Sequence, residues 1–348
     1  MHVITGKTFS EVYNKSIMTI LRDGQLVSPR GIATYELAPA TLVIEEPRYL
    51  LTTPRRRKGN HIFQLAEALW MLRGSNSVDE IAHYNKQWLN FIDEENPEIL
   101  NGAYGERMRD WYGEDQLFEV YKKLKKDPYS RQAVVIIFDP ERDNYIFEST
   151  DSYSKDIPCT NYFNFQIRDG KLNMYVVMRS NDLHKGTIYD IPNFIMFQHV
   201  LAGWLDVEVG KYTHTAASFH IYESDIENLI DIYNDSEDIN PYDGIDIYSN
   251  DPRLSMEEFN STMEAISVLE HSTRTFNLTD MEEYENHIHD TLHQINNKWW
   301  RSAAACIVIY NYRKLGAHEN KFRQFLPYVT NEYKYVVENM KQIKKKVD

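Results

Sequence analysis

Apolar positions along the chain fall into two alternating rhythms. Between Thr8 and Asp23, Phe9, Val12, Tyr13, Ile17, Ile20 and Leu21 recur at helical spacing. His61 to Arg73 repeats the pattern with Ile62, Leu65, Leu69 and Leu72, and Gly74 stands where a helix would end. Asp115 to Lys126 predicts a short amphipathic helix, and Pro192 to Trp204 one rich enough in Phe, Ile, Met, Leu and Val to lie on a sheet. Met281 to Gly316 and Tyr328 to Lys345 read as further helices. Strand patterns lie between them: Thr41 to Glu45, the continuous apolar run Ala133 to Phe138 suited to a fully buried strand, and Thr213 to Tyr222.

The clearest strand signal is a pair of aromatic and β-branched runs flanking Asp169-Gly170, a dipeptide suited to a type I′ turn in which both central residues need φ > 0. If Arg168 pairs with Lys171, the register sets Cys159 opposite Ser180 and Thr160 opposite Arg179. Opposed Cβ atoms sit about 5 Å apart, so a thiol, a hydroxyl and a guanidinium meet at the open end of the hairpin, with Asp182 just beyond. A neighbouring guanidinium favours thiolate over thiol and makes the sulfur a nucleophile. A lone cysteine is more often a small packing residue, and the spacing of residues further along decides between the two.

Composition narrows the picture. With 348 residues, 42% apolar and 13% aromatic, the chain can bury a large core. A net charge of −14 argues against coating a nucleic-acid polymer, though a few local arginines can still hold a small anion. No apolar run reaches membrane-spanning length and the first residues lack a signal-peptide pattern, so no membrane association is expected. Two cysteines, Cys159 and Cys306, are too few for a disulfide framework and fit a cytoplasmic protein. Neither has metal-ligand spacing, and no metal site is expected.

Pro158-Cys159, Arg179-Ser180-x-Asp182, Gly186, Asp190 and His220-x-Tyr222 together resemble the thymidylate synthases and the related deoxycytidylate hydroxymethylases, with matching separations throughout. The resemblance implies an α+β fold: a large mixed β-sheet with helices on one face, the other face pairing with a second subunit. It implies a catalytic domain over residues 1–235, followed by a linker and mainly helical C-terminal extension over 236–348. No short apolar terminus of the kind that closes over folate in this family is found, and Cys306 reads as packing.

Roles follow from the resemblance residue by residue. Cys159 would be the nucleophile. Glu67, a carboxylate in the apolar stretch QLAEALWML where it is costly without a task, would order water and proton transfers. Tyr104 would help remove the C5 proton. Arg30, Arg179 and Ser180 would hold the nucleotide, with Arg131 reaching its phosphate across a homodimer interface, and His220 and Tyr222 would bind the sugar. Asp182, Trp88, Phe91 and Gly186 would contact 5,10-methylenetetrahydrofolate, and the cationic run Arg55, Arg56, Arg57 and Lys58 its glutamyl tail.

Asp190 departs from the asparagine of thymidylate synthases. An asparagine amide accepts from uracil N3–H and donates to O4. Cytosine presents the reverse pattern, which an aspartic acid satisfies by sharing a proton with N3 and accepting from the amine. Thr160, where thymidylate synthases usually have histidine, is a second change in the base pocket. The expected reaction is addition of Cys159 to C6 of a pyrimidine nucleoside monophosphate, then one-carbon transfer to C5. 5-Hydroxymethylation of dCMP or CMP is favoured; methylation of dUMP and an inactive nucleotide-binding dimer stay open.

Overall fold

The computed structural model describes residues 1–48, 59–144, 146–147, 152–236 and 250–338. The Arg55–Lys58 run therefore lies outside the described residues. The chain opens with β1 (His2–Gly6) and α1 (Phe9–Asp23), whose cap is Thr8: its hydroxyl accepts from the Glu11 amide at 3.3 Å. Strands β2 (Gln25–Val27), β3 (Thr34–Leu37) and β4 (Ala40–Ile44) follow. Helices α2 (His61–Leu72), α3 (Val78–Tyr84), α4 (Tyr104–Arg109) and α5 (Gln116–Lys126) come next. Asn60 caps α2, and Gly74 at φ 73° ends it as the sequence predicts.

The sheet then resumes with β5 (Val134–Ile136). After α6 (Pro140–Asp143) and the separate pair β6 (Ile146–Phe147) and β7 (Ser152–Tyr153), the central hairpin forms from β8 (Thr160–Arg168) and β9 (Lys171–Asp182). Its turn has Asp169 at φ 52° and Gly170 at φ 72°, the two positive values expected. Helix α7 (Thr187–Leu205) crosses over to β10 (Glu208–Tyr222), which runs parallel to β9. The strand order is β1-β4-β10-β9-β8-β5, with β3 pairing the end of β10 and β2 pairing β3.

Period-two burial fixes which side of the sheet the helices cover. Leu172, Met174, Val176 and Met178 of β9 are buried, and Phe163 of β8 meets Phe194 of α7 at a 4.9 Å centroid distance. The intervening side chains Tyr162 and Tyr175 stay more than a third exposed on the opposite face. Each fully buried Phe or Leu contributes ~1.5–3 kcal/mol, so the helix-covered face sets the register of the hairpin. The fold is α+β as the sequence suggests, a large mixed sheet with helices against one face.

Several elements differ from the sequence reading. Helix α7 begins at Thr187, five residues before Pro192, because proline reads as a helix start yet lies inside this helix. Strand β5 is an edge strand, not a fully buried one: Val135 is buried while Ile136 is 39% exposed. The segment Glu141 to Asp156, expected as a surface insertion, carries Asp143 into the interior. There it takes a bidentate pair from the fully buried Arg107 at 2.7 and 2.9 Å. Arg107 also donates to the carbonyls of Asn101 and Ile137, which ties the Tyr104 segment to the end of β5.

Beyond β10 come α8 (Ile226–Ser236), α9 (Met256–Thr275), α10 (Leu278–Glu283), α11 (Glu285–Gln294), α12 (Lys298–Lys314), α13 (Glu319–Arg323) and α14 (Asn331–Glu338). Apolar periodicity does not reveal helix α9, although Ser255 and Glu258 form a full capping box at its start. The expected Met281–Gly316 helix is broken before Asn297, whose side chain caps α12 at the Trp299 and Trp300 amides. These helices share the core of the sheet: Phe259 meets Trp204 of α7 at 5.4 Å, and Tyr310 meets Tyr84 of α3 at 5.3 Å. No helix among the described residues is long and apolar enough to cross a membrane.

Breaking the Arg107–Asp143 pair on one side leaves a buried charge without its partner. Arg107→Met is expected to cost about 3–5 kcal/mol in urea unfolding, and adding Asp143→Leu to recover most of that loss.

Candidate active site

The hairpin keeps its predicted register from Arg168–Lys171 up to Tyr162–Val177, and then shifts by one residue. Thr160 pairs with Met178, and the Cys159 carbonyl accepts from the Arg179 amide at 2.8 Å. The expectation of Cys159 opposite Ser180, and of Thr160 opposite Arg179, is therefore corrected. The cause is a β-bulge at Asn161, whose carbonyl turns towards β5 and accepts from the Ile137 and Phe138 amides at 2.9 and 3.1 Å.

The bulge sets Arg179 directly across from Cys159. Its guanidinium folds back on the chain just before the cysteine, donating from Nε to the Pro158 carbonyl at 2.9 Å and from Nη2 to the Ile157 carbonyl at 2.8 Å. Arg179 thus fixes the backbone that carries the thiol. Burial pushes the Cys159 thiol above its ordinary value, and Arg179 lowers it by less. Asp190 and Asp156 raise it further, and Arg30 lowers it slightly. Arg179 favours the thiolate as expected, but desolvation outweighs a guanidinium largely committed to carbonyls.

Asp190 stands on the first turn of α7. Burial pushes its carboxyl up to about 7; the Asn181 amide, donating at 2.7 Å, opposes the rise, and Asp182 adds to it. Its charge acts in turn on Glu67, Tyr104, Cys159 and Tyr212, so these groups lie within electrostatic reach of it. Glu67 of α2 is 5% exposed, accepts from Asn193 Nδ2 at 2.7 Å, and is raised well above the carboxylate range chiefly by burial. Asn193 is itself oriented by Gln64 at 2.9 Å. Tyr104 is the first residue of α4, and burial, then the Cys159 and Asp190 charges, keep it a phenol.

The parallel β9–β10 pairing brings His220 beside Asp182 and Ser180 beside Ser218. His220 Nδ1 lies 3.3 Å from the Ser218 hydroxyl, and Tyr222 packs edge-on to His220 at 5.5 Å. Arg30 is exposed in a turn at φ 55°. Trp88 touches Trp70 at 6.2 Å and Phe91 at 5.7 Å, with Phe91 44% exposed.

The sequence matches the thymidylate synthase family over residues 11–325. The chain belongs to that family. Similar proteins include a deoxyuridylate hydroxymethyltransferase of Bacillus phage SP01, 32% identical over 275 residues, covering 76% of this chain and 68% of the relative. Another of that name, from Pseudomonas phage M6, is 34% identical over 187 residues, or 53% of this chain and 51% of the relative. A putative thymidylate synthase of Methanosarcina barkeri is 26% identical over 236 residues, covering 66% of this chain and 94% of its own length.

In this thymidylate synthase-family enzyme one expected site residue stands apart. Arg131 is exposed and precedes β5, whose Val134 pairs with Asn164, so it lies towards the hairpin turn. Cys159 lies at the opposite end of the nine-residue β8, a strand about 30 Å long. Within one chain the two are not brought together. Conversely, Asn181, Thr187 and Asn193 border Asp190 and Glu67, yet the sequence reading does not single them out. The i, i+3 spacing of Asp190 and Asn193 is the available signal, hidden when α7 is taken to start at Pro192.

Alkylation of Cys159 by iodoacetamide is expected to rise along a titration whose midpoint lies above that of an ordinary cysteine. Arg179→Ala should move the midpoint higher still, since the guanidinium lowers it; a midpoint at or below that of an ordinary cysteine in either protein contradicts this balance of burial against charge.

Proposed function

We propose that this enzyme transfers a one-carbon unit to C5 of a pyrimidine nucleoside monophosphate, with 5-hydroxymethylation of dCMP as the preferred reaction. The observation that carries the reading is that Cys159, Tyr104 and Glu67 all lie within electrostatic reach of Asp190, with Glu67 held by Asn193 one turn further along the helix that carries Asp190. Cys159, its thiol proton passing to water, adds Sγ to C6 and gives C5 the electron density that the aromatic ring lacks; once C5 carries the one-carbon unit and has lost its proton, water adds to that unit and the C6–S bond breaks. Tyr104, held as a phenol, passes the C5 proton along rather than keeping it, with water ordered by the neutral Glu67. Asp190 reads the 3 and 4 positions of the base. Arg30, Arg179 and Ser180 hold the phosphate, and His220 and Tyr222 the sugar hydroxyl.

5,10-Methylenetetrahydrofolate, when bound, supplies the one-carbon unit. The residues expected to hold it fit a pterin. Asp182 spends Oδ1 on the His184 and Lys185 amides at 2.7 and 3.1 Å, while no described residue occupies Oδ2. Trp88 and Phe91 offer adjacent apolar ring faces. Gly186, the cap residue of α7, lies in sequence between Asp182 and Asp190.

A second reading is the same transfer to dUMP, favoured by the two phage relatives named for deoxyuridylate. A neutral Asp190 can meet uracil, donating its proton to O4 and accepting from N3–H. We also propose a homodimer through the sheet face that the helices leave open, with Arg131 gripping the phosphate in the partner's site. Its exposure and its separation from its own Cys159 support that arrangement.

Incubation with dCMP, CMP or dUMP and methylenetetrahydrofolate, followed by mass analysis, is expected to show a gain of CH2O on dCMP. A gain of CH2 on dUMP would replace this reading with thymidylate synthesis, and failure to exchange the C5 hydrogen of any nucleotide would leave an inactive binding protein. Tyr104→Phe should lower turnover by ~10²–10⁴-fold, the usual contribution of a positioned proton-transfer group. Mixing an inactive Cys159→Ala protein with an inactive Arg131→Ala protein should restore turnover if the sites are shared between subunits.

A further inference from the structure

Resting on the base-reading role of Asp190 proposed above, we infer that Asn181 and Thr187 form a hydrogen-bond relay that fixes which oxygen of Asp190 carries its proton, and thereby which pyrimidine base is preferred. Both residues are buried, Asn181 near the end of β9 and Thr187 at the start of α7. Asn181 Nδ2 donates to Asp190 Oδ2 at 2.7 Å. The Thr187 hydroxyl lies 2.5 Å from Asn181 Oδ1 and 3.0 Å from the Asp182 carbonyl.

A hydroxyl has one proton and can donate to only one of these acceptors. The distance to Asn181 Oδ1 is the shorter of the two by 0.5 Å, which assigns the Thr187 proton to Asn181 Oδ1. That bond turns the NH2 group of Asn181 towards Asp190. With the amide reversed, Asn181 Oδ1 would face Asp190 Oδ2, acceptor against acceptor, unless the proton moved to Oδ2. The lock therefore makes Oδ2 an acceptor and leaves Oδ1 as the place for the proton. No described residue donates to Oδ1, which stays open to a base.

The surroundings keep that proton available. Glu67 from α2, Tyr104 from α4, Cys159 before β8, Asp182 at the end of β9 and Tyr212 from β10 lie within electrostatic reach of Asp190, and each is an acid or a neutral group. Gly186 provides the room: a Cβ there would come within 3.1 Å of Asp190 Oδ2 and 3.2 Å of Asn181 Nδ2.

Cytosine offers an acceptor at N3 beside a donor amine, and uracil a donor at N3 beside an acceptor at O4. A carboxylic acid whose proton is confined to one oxygen complements one of these edges, and moving the proton to the other oxygen reverses the match. With Oδ1 meeting N3, the locked form accepts cytosine. Asn181 and Thr187 are positioning residues, since they act through Asp190 rather than on the substrate.

Isothermal titration of dCMP and dUMP into the full-length protein tests the relay. Thr187→Val removes the described donor to Asn181 Oδ1 and should lower the dCMP:dUMP affinity ratio about tenfold, the scale of one misplaced hydrogen bond. Thr187→Ser should restore the wild-type ratio, and Asn181→Leu should repeat the effect of Thr187→Val in a separate background. Asp190→Asn should favour dUMP whatever stands at position 187. If Asp190→Asn moves the preference while Thr187→Val and Asn181→Leu keep the wild-type ratio, the relay is overturned and the base-reading role stands. If Asp190→Asn leaves the preference unchanged, that role falls and the relay with it.

Discussion

The Asn161 carbonyl, drawn onto the amides of Ile137 and Phe138, is the constraint on which the site depends. It inserts one unpaired residue into an otherwise regular hairpin and moves every position beyond it by one step. Without that step Cys159 would oppose a serine. With it, the cysteine opposes Arg179, whose side chain ties down the Pro158 and Ile157 carbonyls. The chain leaving an edge strand thus sets the position of the Cys159 thiol, just before the next strand, through two backbone hydrogen bonds.

The second feature of the site is an excess of buried acid. Glu67 and Asp190 are both raised by burial, and among the described residues neither has a cation to pair with. Amides hold them instead: Gln64 orients Asn193 on Glu67, and Thr187 orients Asn181 on Asp190. An amide supplies a hydrogen bond without neutralising charge, so each carboxyl can stay protonated near neutral pH. Groups of this kind suit proton relay and the reading of a base edge, for which a salt-bridged carboxylate would lack a donor.

The helical layer after β10 is part of the same interior. Trp204 of α7 contacts Phe259 of α9, and the Trp300 indole donates to the Pro252 carbonyl at 2.7 Å, which anchors the chain leading into α9. The family match likewise runs past the last of the sequence motifs and into this layer. The helices thereby support the far side of α7, whose first turn carries Asp190.

The chemistry-bearing residues were legible because their types and separations are properties of the chain: Cys159, Arg179, Asp182, Asp190 and His220 stand at spacings no fold needs to supply. The Asp169-Gly170 turn was equally plain, since its positive φ values are a local demand met by local residues. Glu67 stood out by the cost of a carboxylate among apolar neighbours. The tertiary structure alone decided the register at Cys159, because the bulge is imposed by contacts with β5, a strand not adjacent in the chain. It alone decided that burial raises the thiol above its ordinary value, since burial depends on every element packed around it, and that Asn181 and Thr187 stand beside Asp190. Spacing along a sequence measures neither desolvation nor hydrogen bonds between distant segments, and those two quantities set the working state of each group in the site.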